Sequence, residues 1–250
     1  MESNDLVDYS RQENLNNDLR LNTDSFNNLQ IIIGCGGIGF WLGIMLAMMG
    51  YNKFYLIEGE KIDATNLNRI PIPQTWIGLN KGVALRKTIR HLRPNTSITV
   101  LTQAIDRNDP NMFKEIIDLL GRTYQIKIWD TTDDAIVQKL MYKVLKGFNY
   151  EFLYTKIGYE GFKIGIYNNL DVWINPETYQ PGYTTSKANA VTSAISAGLG
   201  MFYSMLNLKD DKNFNLKNLL TEKSNVKKEP LEETESSEMA FPEFTNEPPR

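Results

Sequence analysis

At 250 residues with a formal net charge of −3, the chain has room for one sizeable core plus a small appendage, and it carries no basic footprint for nucleic acid. No apolar run reaches the roughly 18–20 residues of a membrane helix, and the polar first 28 residues show no secretory signal. The lone cysteine, Cys35, can form neither an internal disulfide nor a cysteine-built zinc site, so a reducing, cytoplasmic setting without membrane or nucleic-acid partners is expected. In chain order, a polar helix is expected near 11–21. Strands follow at about 29–33, 53–58, 97–102 and 125–129, separated by helical stretches at 38–50, 79–92, 111–121 and 134–147. Such alternation predicts a parallel sheet with helices on both faces. From residue 151 the pattern changes to strand-like runs, Phe152 to Ile157, Phe162 to Tyr167 and Leu170 to Ile174, which predict an antiparallel continuation of that sheet. A last apolar helix, Ala188 to Met205, is expected to pack on it. Three segments result: 1–28, a helical N-terminal piece; 29–206, the packed domain; and 207–250, a polar tail. Seven glutamates and four prolines from Glu229 onward argue against a packed core in that tail, which is expected to be disordered.

The most informative segment is Gly34-Cys35-Gly36-Gly37-Ile38-Gly39, which follows the apolar run Leu29-Gln30-Ile31-Ile32-Ile33 and opens the apolar stretch Phe40 to Met49. A glycine-rich turn between a strand and a helix lets backbone N–H groups approach a phosphate at the positive end of the helix dipole. Gly34, Gly36, Gly37 and Gly39 are therefore candidate nucleotide contacts. Glu58 lies nineteen residues past Gly39 and closes a second apolar run, Phe54-Tyr55-Leu56-Ile57. A nucleotide-binding βαβ unit places there the acid that holds a ribose hydroxyl. The expected architecture is thus α/β with a Rossmann-like nucleotide-binding sheet, parallel in its N-terminal half.

Further motifs surround this unit. Tyr9-Ser10-Arg11-Gln12 precedes it; Glu58-Gly59-Glu60, Asn66-Leu67-Asn68-Arg69, Gly78-Leu79-Asn80-Lys81 and Asp130-Thr131-Thr132-Asp133-Asp134 follow. The series, over residues 9 to about 206, resembles the ThiF/MoeB/HesA adenylyltransferases, the family that includes the ubiquitin-activating enzymes. Their pattern runs through a YxRQ-type segment, GxGGxG, an acid-x-acid pair, NLxRQ, GxxK and an Asp-Asn pair. Three positions depart from it: Glu58 where aspartate is usual, Ile70 for glutamine and Asp134 for asparagine.

The resemblance implies ATP and Mg2+ as cofactors and adenylation of a C-terminal carboxylate, with pyrophosphate leaving. The substrate it implies is a small ubiquitin-like or sulfur-carrier protein with a Gly-terminal tail, or, within the same family, a peptide or tRNA-linked carboxylate. Glu58 would bind the ribose and Glu60 is the second acid of the pair, or a cap on the following loop. Arg69 and Lys81 would contact phosphates, a planar fork and a point charge respectively. Asn66 would bond a phosphate or shape its loop. Asp133 would be the magnesium ligand, with Asp130 and Asp134 as neighbours able to share the role; alternatively Thr132 or Asp133 is the N-cap of the next helix. Arg11 would reach across a homodimer interface into the partner's site, or lie on a helix surface. Tyr179 to Asn189 would cover the substrate tail.

Cys35, inside the nucleotide loop, is expected to be a small buried residue and no nucleophile. The paired CxxC zinc ligands of the family are absent, so no structural zinc is expected. His91 is expected to be an ordinary surface or core histidine. Two other classes compete with the enzyme: a non-catalytic ThiF-like scaffold or binding subunit, and a nicotinamide-dependent oxidoreductase. The second explains the glycine loop and Glu58 but leaves Arg69, Lys81 and Asp133 without a use.

Overall fold

The computed structural model describes residues 12, 26–106, 108–146, 153–160, 163–167, 189–206 and 212–215. Arg11, the run 170–174, residues 179–188 of the expected substrate loop and nearly all of 207–250 lie outside the described residues. All described elements belong to the compact unit Met1–Leu216.

The strands are β1 (Leu29–Ile33), β2 (Lys53–Ile57), β3 (Ser97–Leu101), β4 (Ile126–Asp130), β5 (Leu153–Glu160), β6 (Lys163–Tyr167) and β7 (Lys212–Asn215). The helices are α1 (Gly37–Met48), α2 (Lys81–Leu92), α3 (Pro110–Gly121), α4 (Ala135–Lys146) and α5 (Ala190–Met205). One sheet runs in the order β3-β2-β1-β4-β5-β6-β7. β1 to β5 are parallel, and β6 and β7 continue antiparallel. The strand beginning near 152 therefore still belongs to the parallel half, because α4 carries the chain back to the start of the sheet before it.

β1 has all five residues buried, as expected of a strand covered on both faces. Edge strand β3 buries only Ile98 fully and exposes Ser97 and Thr99. Ile32, Phe54, Leu56, Ile98, Trp129 and Ile157 point to one face, where α1, α2 and α5 pack. Leu29, Ile31, Ile33, Ile126, Ile128 and Tyr154 point to the other, under α3 and α4. Each fully buried aliphatic or aromatic side chain contributes about 1.5–3 kcal/mol, so these two layers carry most of the stability.

The sheet also extends past its expected end. Lys212–Asn215, inside the stretch expected to be tail, pair with β6, with Phe214 opposite Ile164. Four residues with one apolar member form too short a pattern to read as a strand. Among the described residues no helix is long and apolar enough to cross a membrane.

Chain order reverses at β1. β2 and β3 are added on one side and β4 on the other, so the crevice beyond the carboxyl ends of β1 and β4 is the topological switch point, where open α/β sheets bind ligands.

Candidate nucleotide site

The glycine loop leaves β1 at Gly34, whose φ of +85° is a conformation that L side chains rarely adopt. The loop then closes tightly. A Cβ on Gly39 would lie 1.9 Å from the Gly34 carbonyl oxygen and 2.7 Å from Thr131 Oγ1. Thr131 itself donates through Oγ1 to that carbonyl at 2.5 Å and through its N–H to Ile33 at 3.0 Å. These bonds tie the loop after β4 to the loop after β1 across the switch point. α1 opens at Gly37 with Gly36 as its N-cap, and no side chain caps it. A Cβ on Gly36 would meet nothing within 4 Å, so the space above the start of α1 is open.

Glu58 stands beside this loop, at the end of β2, with 7% of its surface exposed. Its carboxylate accepts the Cys35 N–H at 2.6 Å and the Glu60 N–H at 2.8 Å, one on each oxygen. Burial pushes its pKa up, against the pull of those two N–H groups and of Lys81. Each oxygen has room to accept a further hydrogen bond. Lys81, 6% exposed, pairs with Glu60, whose side chain is 75% exposed. The cation is buried and its partner exposed. Asn80 sets this up by capping α2 through Val83 N–H at 3.1 Å and donating to the Glu58 carbonyl at 2.8 Å.

Arg69 reaches the loop from the other side. Its Cδ would be 3.1 Å from a Cβ on Gly37, where Ser193 Oγ also comes to 2.7 Å. The guanidinium is held by the Thr65 carbonyl at 2.7 Å, and Trp41 Nε1 donates to the Arg69 carbonyl at 2.9 Å. Asn66 is buried and completes a capping box with Asp63, whose N–H it accepts at 3.3 Å. It therefore shapes this loop. Ile70 is buried in the layer under α1.

Across the switch point the aspartates divide their work. Asp130 is fully buried: Oδ1 accepts Thr132 N–H at 3.0 Å, Thr132 Oγ1 at 2.8 Å and Lys156 Nζ at 3.3 Å, while Oδ2 accepts Tyr154 O–H at 2.8 Å. Four protein donors thus engage its carboxylate. Asp134 is the N-cap of α4, accepting Ile136 N–H at 2.9 Å and Val137 N–H at 3.2 Å; neither Thr132 nor Asp133 caps it. Asp133 is exposed, which suits a hard cation seeking carboxylate oxygen. Among the described residues no group of three His, Cys, Asp or Glu gathers as a metal cage. A cation here would depend on oxygens from elsewhere, as magnesium does when bound to nucleotide phosphates.

Cys35 is fully buried, and burial together with the Glu58 charge pushes its thiol pKa well up, the opposite of what a thiolate nucleophile needs. His91 is exposed near the end of α2. Asn189, the one described residue of the expected substrate loop, caps α5 by accepting Thr192 N–H at 2.9 Å. The structure adds Lys156 and Tyr154, which motif reading missed. A lysine inside a strand, between Thr155 and Ile157, needs a buried partner, and that requirement was the available signal for its pairing with Asp130.

Fold and site together define an α/β domain whose glycine loop, acid and cations gather at the switch point. The chain belongs to the ThiF family, whose sequence model matches residues 9–169. It is 33% identical over 69 residues to ubiquitin-like modifier-activating enzyme 5 of Caenorhabditis elegans, covering 28% of this chain and 16% of that protein. It is 30% identical over 87 residues to the adenylyltransferase and sulfurtransferase MOCS3 of Xenopus laevis, covering 34% and 19%. The matched segments thus span less than a fifth of these relatives' length. Among solved structures, Escherichia coli MccB in complex with AMPCPP and MccA superposes with a TM-score of 0.63 at 16% identity, over 85% of this chain and 72% of MccB. That likeness establishes the fold.

Proposed function

We propose that this protein adenylates a carboxylate, using ATP. The observation that carries the reading is the open, uncapped start of α1, flanked by the buried Lys81 and facing, across the switch point, the loop that presents Asp133. The glycine-loop N–H groups, Lys81 and Arg69 would hold the triphosphate, and Glu58 the ribose. A substrate carboxylate oxygen would then attack the α-phosphorus, the bond to the bridging oxygen of the β-phosphate would break, and pyrophosphate would leave with its charge balanced by the two cations. Asp133 is the residue suited to hold magnesium, which would neutralise phosphate charge when bound.

Named relatives support a protein substrate: one is a ubiquitin-like modifier-activating enzyme and another an adenylyltransferase and sulfurtransferase. We take the substrate to be a small protein of that kind with a Gly-terminal tail. With Cys35 buried and its thiol protonated, the described residues offer no thioester nucleophile; the acyl adenylate would pass to a separate thiol or amine. A symmetric homodimer in which Arg11 completes the partner's site is part of the same reading.

The test is exchange of labelled pyrophosphate into ATP with magnesium and candidate Gly-terminal proteins. Exchange is expected, lost in Asp133→Ala and kept in Cys35→Ala. No exchange with any such partner, alongside tight NAD binding, moves the function to an oxidoreductase. ATP binding without exchange moves it to a scaffold.

A further inference from the structure

Adenylation leaves Lys156 without a task. This residue sits on β5 as the register partner of Asp130, with 4% of its surface exposed. Its Nζ donates to Asp130 Oδ1 at 3.3 Å and also to the Thr132 carbonyl. The first contact balances a buried charge; the second is a backbone tie that charge balance does not require. The Thr132 carbonyl accepts a second tie from Gln138 Nε2 at 3.1 Å. Thr131 is bound to β1 and the glycine loop on one side, and Asp134 is bound into α4 on the other. Both flanks of Asp133 are pinned while Asp133 itself stays exposed. The charges of Asp133 and Asp134 reach the Lys156 ammonium and favour it against the cost of burial.

We propose that Lys156 is a positioning residue of the metal–nucleotide site: its ties to Asp130 and to the Thr132 carbonyl hold the turn between β4 and α4, and with it the Asp133 carboxylate, in place for the nucleotide-bound cation. The inference rests on the adenylation reading. A bare counter-charge role makes a different prediction, because it is satisfied whenever the pair is neutralised together.

The test uses the full chain, a non-hydrolysable ATP analogue and Mn2+ as probe. Analogue binding is read by calorimetry without metal, and Mn2+ binding to the protein–analogue complex by electron paramagnetic resonance. The double variant Lys156→Met with Asp130→Asn leaves no unpaired buried charge and keeps the net charge of the site. It is expected to bind the analogue as wild type does, while its Mn2+ affinity falls about tenfold or more, the range found when a ligand's outer supports are removed. Gln138→Met leaves the charge pair intact, removes one tie and deletes an Oε1 that has no partner among the described residues. It should fold even if the double variant does not, and its Mn2+ affinity should fall about threefold. Wild-type Mn2+ affinity in either variant overturns the proposal and leaves adenylation standing. A wild-type protein that binds no analogue overturns both.

Discussion

The two glycines at the start of α1 are expected to respond oppositely to the same added methyl group. In Gly39→Ala the new Cβ would lie 1.9 Å from the Gly34 carbonyl oxygen and 2.7 Å from Thr131 Oγ1. Neither atom can retreat cheaply, since Gly34 is already at φ +85° and its carbonyl accepts the Thr131 hydroxyl. Overpacking against fixed atoms costs up to about 3 kcal/mol, which for a chain of this size lowers Tm by roughly 6–12 °C. In Gly36→Ala the Cβ meets nothing within 4 Å. Alanine is a poorer N-cap than glycine, but it also reduces the entropy of the unfolded chain by about 0.4–1 kcal/mol. The two terms nearly cancel, and Tm should stay within a few degrees. Binding should reverse the ranking of damage. If phosphate occupies the open space over Gly36, the methyl group denies it N–H contacts worth about 1.5–3 kcal/mol each. ATP affinity by calorimetry should therefore fall roughly 10- to 100-fold. A Gly36→Ala protein with wild-type Tm and wild-type ATP affinity refutes the placement of phosphate at this helix start.

Asp133→Ala should leave Tm unchanged and abolish pyrophosphate exchange, whereas Asp134→Ala should keep exchange and lose about 1 kcal/mol of cap, read as a Tm drop of roughly 2–4 °C. Lys127, buried with its Nζ 2.6 Å from Thr155 Oγ1 and 4.7 Å from the Trp129 ring centre, has its pKa lowered to about 7 by burial. The unfolded chain therefore holds more protons between that value and the ordinary 10.5, and Lys127 makes stability rise with pH in this window by up to about 1.4 kcal/mol per unit. The destabilisation is present in full below pH 7, so Lys127→Met should be more stable than wild type at pH 6 and show a shallower rise of Tm from pH 7.5 to 9.5. Equal slopes would refute it. Mixing Arg11→Ala with Asp133→Ala chains should restore part of the exchange that each lacks, because a mixed dimer holds one intact site; no recovery despite proven subunit exchange would place Arg11 outside the partner's site.

Legibility followed the range of the forces involved. The described helices and the first four strands were visible because each buries a run or stripe set by local sequence, as β1 and α1 do around the glycine loop; β5 was visible as a strand but its parallel direction was not. The loop was visible because steric demands at Gly34 and Gly39 leave glycine almost no substitute. β7 was not, since a four-residue strand draws its reason from the free edge of β6. Site residues divided the same way. Lys81 and Glu58 stand in short motifs, but the pairing of Asp130 with Lys156 joins positions 26 residues apart whose link exists only once β4 and β5 lie side by side.

The three departures from the family pattern are absorbed by the fold. Glutamate at 58 is one methylene longer than aspartate, and its carboxylate ends between two backbone donors, Cys35 N–H and Glu60 N–H, which hold it beside the loop. Asp134 in place of asparagine still caps α4, a role the two residues fill about equally, while adding a negative charge next to Asp133. Ile70 in place of glutamine turns into the apolar layer with α1, removing a polar group from the Arg69 side of the site. If the adenylation reading holds, the second departure would change the field at the proposed metal, and the third leaves an apolar residue beside Arg69. Gly36, Gly37, Lys81 and Asp133, the residues that would act on ATP itself, match the pattern. Under the adenylation reading, the departures therefore fall beside the residues proposed to act on ATP, at the ribose acid, next to the metal ligand and next to Arg69.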